Sequence, residues 1–273
     1  KEIDPNILIN NRTYLFFSHT FKINKQQKYI EKNKKELLLS ILNKKIKLID
    51  YENIRGKNGN RCLGFGRFAG IVGCYNTLNL FLKVLGKQSL ANAYKINDYK
   101  RLTLNLKNLY FPKTKILVTG DGRVSRGVIE LLYHTNIKEV SKKDFLEKKF
   151  EEPIFCNLET KDYVINNSST NFDLEHFIKN PKEYSSSALK YLKETNIFIS
   201  AHYWDPSSPK IFKNEDLEDL PNLKIVGDIT CDINGSVPTT IRSTTIEKPY
   251  YWIDKNNLKE IDENNDGIAV MAV

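Results

Sequence analysis

A glycine-rich turn between an apolar strand and a helix is the feature that most constrains how this chain can fold. Residues 116–119 are apolar or β-branched, the turn Gly120-Asp-Gly122 follows, and residues 128–132 have the composition of a helix. The first glycine permits a tight turn, and the second lets the backbone approach a phosphate group at the N-terminus of the helix. This order predicts a β-turn-α unit that binds a dinucleotide.

The turn and the start of its helix supply the predicted cofactor contacts. These residues are Gly120, Gly122, Arg123, Val124 and Ser125. Ser125 occupies the position that a third glycine usually holds, and Gly127 follows two residues later. Because serine is small, the helix can still pack closely on its strand. A purely structural β-turn-α unit is the alternative.

An acidic residue beyond the glycine helix bears on the choice of cofactor. Glu139 lies 19 residues after Gly120, at the end of the next predicted strand. A carboxylate at that position accepts a hydrogen bond from the ribose 2′-hydroxyl and disfavours a 2′-phosphate. The spacing therefore favours NAD over NADP. Arg123, Arg126 and Lys138 are close enough in sequence to leave NADP open.

Strands and helices alternate along the rest of the chain. Strands are predicted at residues 12–18, 46–50, 137–140, 153–156, 197–201, 223–228 and 268–273, and helices at residues 25–43, 70–85, 97–109, 144–149 and 186–194. Such alternation is typical of parallel sheets covered by helices. We therefore expect an α/β fold of two Rossmann-like domains with doubly wound parallel sheets. Residues 1–95 would form a substrate domain that is incomplete in this chain, and residues 96–273 the dinucleotide-binding domain.

Polar residues follow several predicted strands, where the loops of parallel sheets build binding sites. His19 and Lys22 follow the first strand, and Glu52 follows the second. A histidine transfers protons near neutral pH, and a nearby lysine lowers its pKa. His202 and Asp228 follow two later strands, where they can wall a nicotinamide or position a ribose. Each of these residues can instead be an ordinary surface or loop-stabilising group.

Composition limits the classes of protein. A net charge of +9 invites a nucleic-acid partner, but the basic residues are dispersed among acidic ones instead of gathering on one element. No apolar run reaches the length of a membrane span, and no signal peptide is visible. The four cysteines lack a metal-binding spacing. We therefore expect a cytoplasmic protein with a small-molecule substrate and no metal, nucleic-acid or membrane partner, and homo-oligomerisation stays open.

Six sequence blocks, in order along almost the whole chain, resemble a known family. They are KE (1–2), FFSHTFK (16–22), DYE (50–52), Arg61 with GFGRFAG (64–70), GDGRVSRG (120–127) and DITCD (228–232). Together they are similar to the lysine-forming saccharopine dehydrogenases, within the superfamily of alanine dehydrogenase and the transhydrogenase N-domain. The combination is far more specific than any one of the motifs.

The resemblance implies an NAD-dependent amino-acid dehydrogenase. In that family, hydride passes between nicotinamide C4 and the carbon that bears the amine, with hydrolysis or formation of an imine. The resemblance implies proton transfer for Lys1 and His19, tuning of their pKa values by Lys22 and Glu52, and binding of a substrate carboxylate by Arg61. The nearest alternative is an alanine dehydrogenase. A non-catalytic dinucleotide-binding module and a nucleic-acid binder are alternatives from other classes.

Overall fold

The computed structural model describes residues 3–20, 32–59, 61–169, 171–263 and 266–272. The chain divides into two compact units, Lys1–Phe65 and Gly66–Val273. This division falls earlier than the domain boundary predicted near residue 95. The helix that begins at Gly66 packs within the second unit and therefore belongs to it.

The first unit is built on a parallel pair of strands. Its elements are β1 (Thr13–Phe16), α1 (Lys32–Asn43) and β2 (Lys47–Asp50). Strands β1 and β2 pair in parallel, as the predicted βαβ pattern requires. Leu8, Leu37 and Ile41 form its buried apolar cluster. Residues 25–31 of the first predicted helix lie outside the described residues.

The second unit contains the glycine turn and the large sheet. Its helices are α2 (Gly66–Val84), α3 (Tyr99–Lys107), α4 (Arg123–Leu132), α5 (Lys142–Glu147), α6 (Thr160–Tyr163), α7 (Leu174–Lys179) and α8 (Leu189–Leu192). Its strands are β3 (Lys115–Thr119), β4 (Lys138–Glu139), β5 (Ile154–Leu158), β6 (Val164–Asn166), β7 (Tyr184–Ser186), β8 (Ile197–Ser200), β9 (Ile225–Asp228), β10 (Tyr250–Ile253), β11 (Glu260–Ile261) and β12 (Ile268–Met271). Within the described ranges, no helix has the length and apolar character that crossing a membrane requires.

Eight strands of the second unit form one sheet in the order β11-β10-β12-β9-β8-β3-β5-β4. The strands from β12 to β4 are parallel, whereas β10 runs antiparallel to both β11 and β12. The predicted α/β fold with a mainly parallel sheet is confirmed. The antiparallel edge and the antiparallel β6–β7 pair were not predicted, because strands of two to four residues have little period-two signal.

The order of β4 and β5 is the topological feature with the greatest consequence for the site. Strand β5 lies next to β3, and β4 lies beyond β5 at the edge. Four of the five residues of β5 are buried, whereas both residues of β4 are exposed. Interior positions of a parallel sheet need apolar residues on both faces. The apolar strand β5 therefore takes the place beside the glycine strand.

Helices α2 and α4 cross at glycine contacts. A Cβ atom at Gly70 would lie 2.0 Å from the carbonyl oxygen of Val124, and one at Gly127 would lie 2.1 Å from that of Arg67. Both glycines are therefore required by the approach of the two backbones. Gly127 serves this packing, and the predicted cofactor contacts lie earlier in the helix.

Candidate functional site

The glycine turn is held between its two neighbouring strands. Gly120 has a φ of 122°, and a Cβ atom there would lie 2.6 Å from the carbonyl oxygen of Ala201. Its N–H donates to the carbonyl oxygen of Leu158 at 2.8 Å. Only glycine satisfies both the left-handed backbone and the close approach of the residue after β8. The turn is therefore rigidly placed at the carboxyl end of the sheet.

The N-terminus of α4 has the features of an anion site. Gly122 is its N-cap, so no side chain caps the first turn, and that turn has no acidic residue. A Cβ atom at Gly122 would meet nothing within 4 Å, which leaves open space in front of the helix. The first N–H groups and the positive end of the helix dipole attract an anion there. These features fit the pyrophosphate of a dinucleotide.

The predicted contacts at this turn lie together in the structure. Gly122, Arg123, Val124 and Ser125 form the cap and first turn of α4, directly after Gly120. The Ser125 hydroxyl is buried and donates to the Gly122 carbonyl oxygen at 3.0 Å. Ser125 therefore stabilises the turn from within, and its role in place of a third glycine is structural.

Glu139 lies away from this turn. It is in the edge strand β4, and its carboxylate accepts a hydrogen bond from the hydroxyl of Tyr133, the residue that follows the last residue of α4. The structure thus brings Glu139 to the end of the helix opposite the predicted phosphate contacts. The next strand in sequence, β4, is not the next strand in space, because β5 lies beside β3.

His202 is buried at the end of β8 and bonded through both ring nitrogens. Its Nδ1 lies 2.8 Å from the Thr119 hydroxyl, and its Nε2 lies 2.9 Å from that of Ser236. Burial lowers the pKa of His202 to about 4. The imidazole is therefore neutral at physiological pH and connects the glycine strand to the loop after β9.

Asp228 is fully buried at the end of β9. One carboxylate oxygen accepts hydrogen bonds from the N–H and hydroxyl of Thr230, and the other accepts from the hydroxyl of Thr240 at 2.6 Å. Burial raises the pKa of Asp228, while these hydrogen bonds oppose the rise. Both oxygens are engaged by the following loop, so Asp228 shapes the loop at this corner of the sheet.

The first unit brings three of the predicted site residues together. Nδ1 of His19 lies 3.3 Å from Oε1 of Glu52, and a guanidinium nitrogen of Arg61 lies 3.5 Å from the same oxygen. Glu52 is only 8% exposed, and its other oxygen has no partner among the described residues. His19 has a φ of 54°, which non-glycine residues rarely adopt. Lys1 and Lys22 lie outside the described residues.

Aromatic side chains surround this cluster. The Phe17 ring packs against those of Tyr51 and Phe65, and the Arg61 guanidinium lies 5.6 Å from its centroid. Together with His19 these residues line a cavity of about 800 Å³. The cavity combines apolar walls with a cation and an imidazole, which suits a ligand that has both a carboxylate and a carbon chain.

Asp50 is a positioning residue that the sequence reasoning missed. One of its oxygens accepts a hydrogen bond from the Glu52 N–H at 2.9 Å, and the other accepts from the Ser18 hydroxyl. It therefore ties together the loops after β1 and β2, which present His19 and Glu52. Its place in the DYE block at the end of a predicted strand was the available signal.

Comparison with known proteins finds similar sequences and a solved structure with a similar fold. No family model matches the chain. Alpha-aminoadipic semialdehyde synthase of Arabidopsis thaliana is 28% identical over 100% of this chain and 29% of the relative, and that of Mus musculus is 26% identical over 97% and 32%. The chain thus spans about a third of the length of the curated relatives it matches. A solved L-alanine dehydrogenase aligns with a TM-score of 0.51 at 12% identity, over 98% of this chain and 60% of that one.

The fold and the similar sequences point to the same class of protein. The chain is an α/β protein with the Rossmann-like fold of alanine dehydrogenase. More particularly, its sequence is similar to part of alpha-aminoadipic semialdehyde synthase. Both findings agree with the resemblance drawn from the six sequence blocks, which is thereby confirmed.

Proposed function

We propose that the protein is an NAD(P)-dependent amino-acid dehydrogenase of the saccharopine dehydrogenase type, an oxidoreductase that acts on CH–NH donors. The single observation that carries the proposal is the His19–Glu52–Arg61 cluster beside an aromatic cavity. The glycine turn before α4 supports the binding of a nicotinamide cofactor, because the N-terminus of this helix is open to a phosphate group. When bound, the nicotinamide accepts or supplies the hydride.

His19 has the arrangement of a general base or acid. With Glu52 accepting a hydrogen bond from Nδ1, the lone pair of the neutral imidazole is on Nε2. This nitrogen accepts the proton that the substrate amine releases as the hydride leaves the adjacent carbon. Hydrolysis of the resulting imine then adds water across the C=N bond, and the same imidazole returns a proton to the departing amine.

Arg61 and its surroundings argue for an amino-acid substrate. A guanidinium binds a carboxylate through two parallel hydrogen bonds, and it is held here by Glu52 and by the face of Phe17. The open pocket beside Arg61 has aromatic walls formed by Phe17, Tyr51 and Phe65, which offer contacts to a carbon chain longer than that of alanine. These walls favour saccharopine or a similarly long amino acid over the alanine alternative. Lys1 and Lys22 stay predicted members of the site.

The test is a substrate panel with the full-length protein. Saccharopine, lysine with 2-oxoglutarate, and alanine are each assayed with NAD(H) and NADP(H), following the nicotinamide absorbance. We expect turnover with saccharopine or with the lysine pair, and a loss of about 100-fold or more in kcat for His19→Gln. Turnover with alanine alone would favour the simpler substrate. Binding of NADH without turnover of any substrate would favour a non-catalytic module.

A cytoplasmic location, the absence of nucleic-acid partners and the oligomeric state stay predictions.

A further inference from the structure

The segment before the first strand is tied to the end of α1 by one lysine. Lys44 follows the last residue of α1, and its Nζ donates hydrogen bonds to the carbonyl oxygens of Pro5 at 2.8 Å and Leu8 at 2.7 Å. A third and longer hydrogen bond, of 3.4 Å, goes to the carbonyl oxygen of Asn6. An ammonium group has three N–H donors. The segment therefore supplies an acceptor for each of them.

Other contacts hold the same segment from different sides. The Ser40 hydroxyl, in the last turn of α1, donates to the Pro5 carbonyl oxygen at 3.1 Å. The side chain of Leu8 is buried in the apolar cluster of the first unit. The N–H of Ile9 donates to the hydroxyl of Tyr14, in β1, at 2.8 Å. The segment is therefore fixed both to α1 and to β1.

The anchored residues lead directly into the candidate site. Ile3 lines the cavity that His19 and Arg61 also line. It lies two residues before Pro5 in the chain, so a displacement of Pro5 also displaces Ile3. Lys1, a predicted member of the site, lies a further two residues before Ile3. The anchoring of Pro5 therefore determines the position of one wall of the cavity.

The acceptors of Lys44 show that it does more than stabilise the end of its helix. A lysine near the C-terminus of a helix commonly interacts with the last carbonyl groups of that helix. The three acceptors of Lys44 instead lie 36 to 39 residues earlier in the sequence, outside α1. These hydrogen bonds therefore fix the segment that leads to the cavity.

We propose, on the basis of the proposed function, that Lys44 is a positioning residue for the dehydrogenase reaction. It acts through residues 3–8 and not by direct contact with the substrate. Its ammonium group keeps Ile3, and with it the predicted proton-transfer residue Lys1, in place at the cavity. A displacement of about 1 Å in such a site costs about 100-fold in rate, because the reacting groups no longer align. Since Arg61 still binds the substrate carboxylate, the loss falls on kcat more than on KM.

The test is steady-state kinetics of the full-length protein with saccharopine and NAD or NADP, together with titration of the reduced cofactor. Lys44→Met removes the donors at similar side-chain length and should lower kcat about 10- to 100-fold, while KM and the cofactor Kd change less than about threefold. Lys44→Arg should retain most of the activity, because a guanidinium also donates to several carbonyl oxygens. Lys35→Met, an exposed position on the same helix, is the matched control and should leave kcat unchanged.

Ser40→Ala is a milder second variant, which tests the proposal even if Lys44→Met does not fold. It removes one of the hydrogen bonds to the Pro5 carbonyl oxygen. It should lower kcat about threefold at unchanged KM, the size of one ordinary hydrogen bond. Circular dichroism and melting curves establish which variants are folded.

The outcomes separate this inference from the proposed function. Unchanged kcat in folded Lys44→Met, or in Ser40→Ala where Lys44→Met does not fold, would overturn the positioning role and leave the dehydrogenase assignment intact. A lower melting temperature with unchanged kcat would show that Lys44 only stabilises the first unit, and an equal fall of kcat in Lys35→Met would show that the effect is unspecific. Either result would overturn the role as well. If the unmodified protein did not turn over saccharopine with either cofactor, the proposed function would fail and this inference with it.

Discussion

The imidazole of His202 is neutral because it is buried. Both of its ring nitrogens form hydrogen bonds, and these hold neighbouring segments of the chain together. The imidazole connects Thr119, directly before the glycine turn, to Ser236 in the loop after β9. Its folded pKa of about 4 lies below the value near 6.5 of an exposed histidine. The unfolded chain therefore binds a proton at a higher pH than the folded chain does. The contribution of His202 to stability is complete above pH 6.5 and is lost as the pH falls toward 4.

This linkage gives a prediction for folding. Between pH 7 and pH 5 the free energy of unfolding should fall by about 2 kcal/mol more in the unmodified protein than in His202→Gln. The glutamine amide replaces the hydrogen bond at Nε2 but does not titrate. Urea unfolding at both pH values measures the difference. Equal pH dependence in the two proteins would show that His202 is not buried in the way described.

Among the predicted site residues, the structure brings three together and places one away from the others. His19, Glu52 and Arg61 come together as their blocks implied, because each block lies at or just beyond a strand end whose position the local pattern determines. Glu139 was chosen by its distance in sequence from Gly120. That distance has meaning only if consecutive strands are neighbours, which is a non-local property of packing.

Individual elements were largely predictable, and their arrangement was less so. Strands β3, β5, β8, β9 and β12 all lie within predicted ranges or overlap them, because buried strands are short apolar runs. The place of β5 between β3 and β4 could not be read from either strand alone. The contact between α2 and α4 could not be predicted from local sequence either, because Gly70 and Gly127, which permit it, are far apart in the chain.

The close crossing of α2 and α4 predicts which glycine substitution destabilises the fold. Gly127→Ala should destabilise the protein by about 3 kcal/mol, because the new methyl group would collide with the backbone of α2. Gly122→Ala is the control, since a Cβ atom there meets nothing, and it should cost less than about 1 kcal/mol. It should nevertheless weaken binding of NADH. Denaturant unfolding measures the first effect and fluorescence titration the second. Similar stability of the two variants would contradict the close crossing of the helices.

The proposed chemistry divides between the two units of the chain. The first unit holds the imidazole, carboxylate and guanidinium cluster, and the second holds the glycine turn. Each cluster is positioned by hydrogen bonds of its own unit, such as those of Asp50 in the first and His202 in the second. We therefore expect substrate recognition and cofactor recognition to respond separately to mutation.

Arg61→Lys tests this division. Lysine keeps the charge but cannot form the paired hydrogen bonds of a guanidinium, so KM for the amino-acid substrate should rise about 10-fold or more while Kd for NADH stays unchanged. Arg55→Lys is the matched control, because Arg55 is in the same unit and donates to the carbonyl oxygen of Gly59 at 3.0 Å. It should leave both constants as they are. Steady-state kinetics and NADH titration of the full-length protein measure them. A shift in Kd for NADH in Arg61→Lys would contradict the division, because the arginine would then contribute to the cofactor site as well.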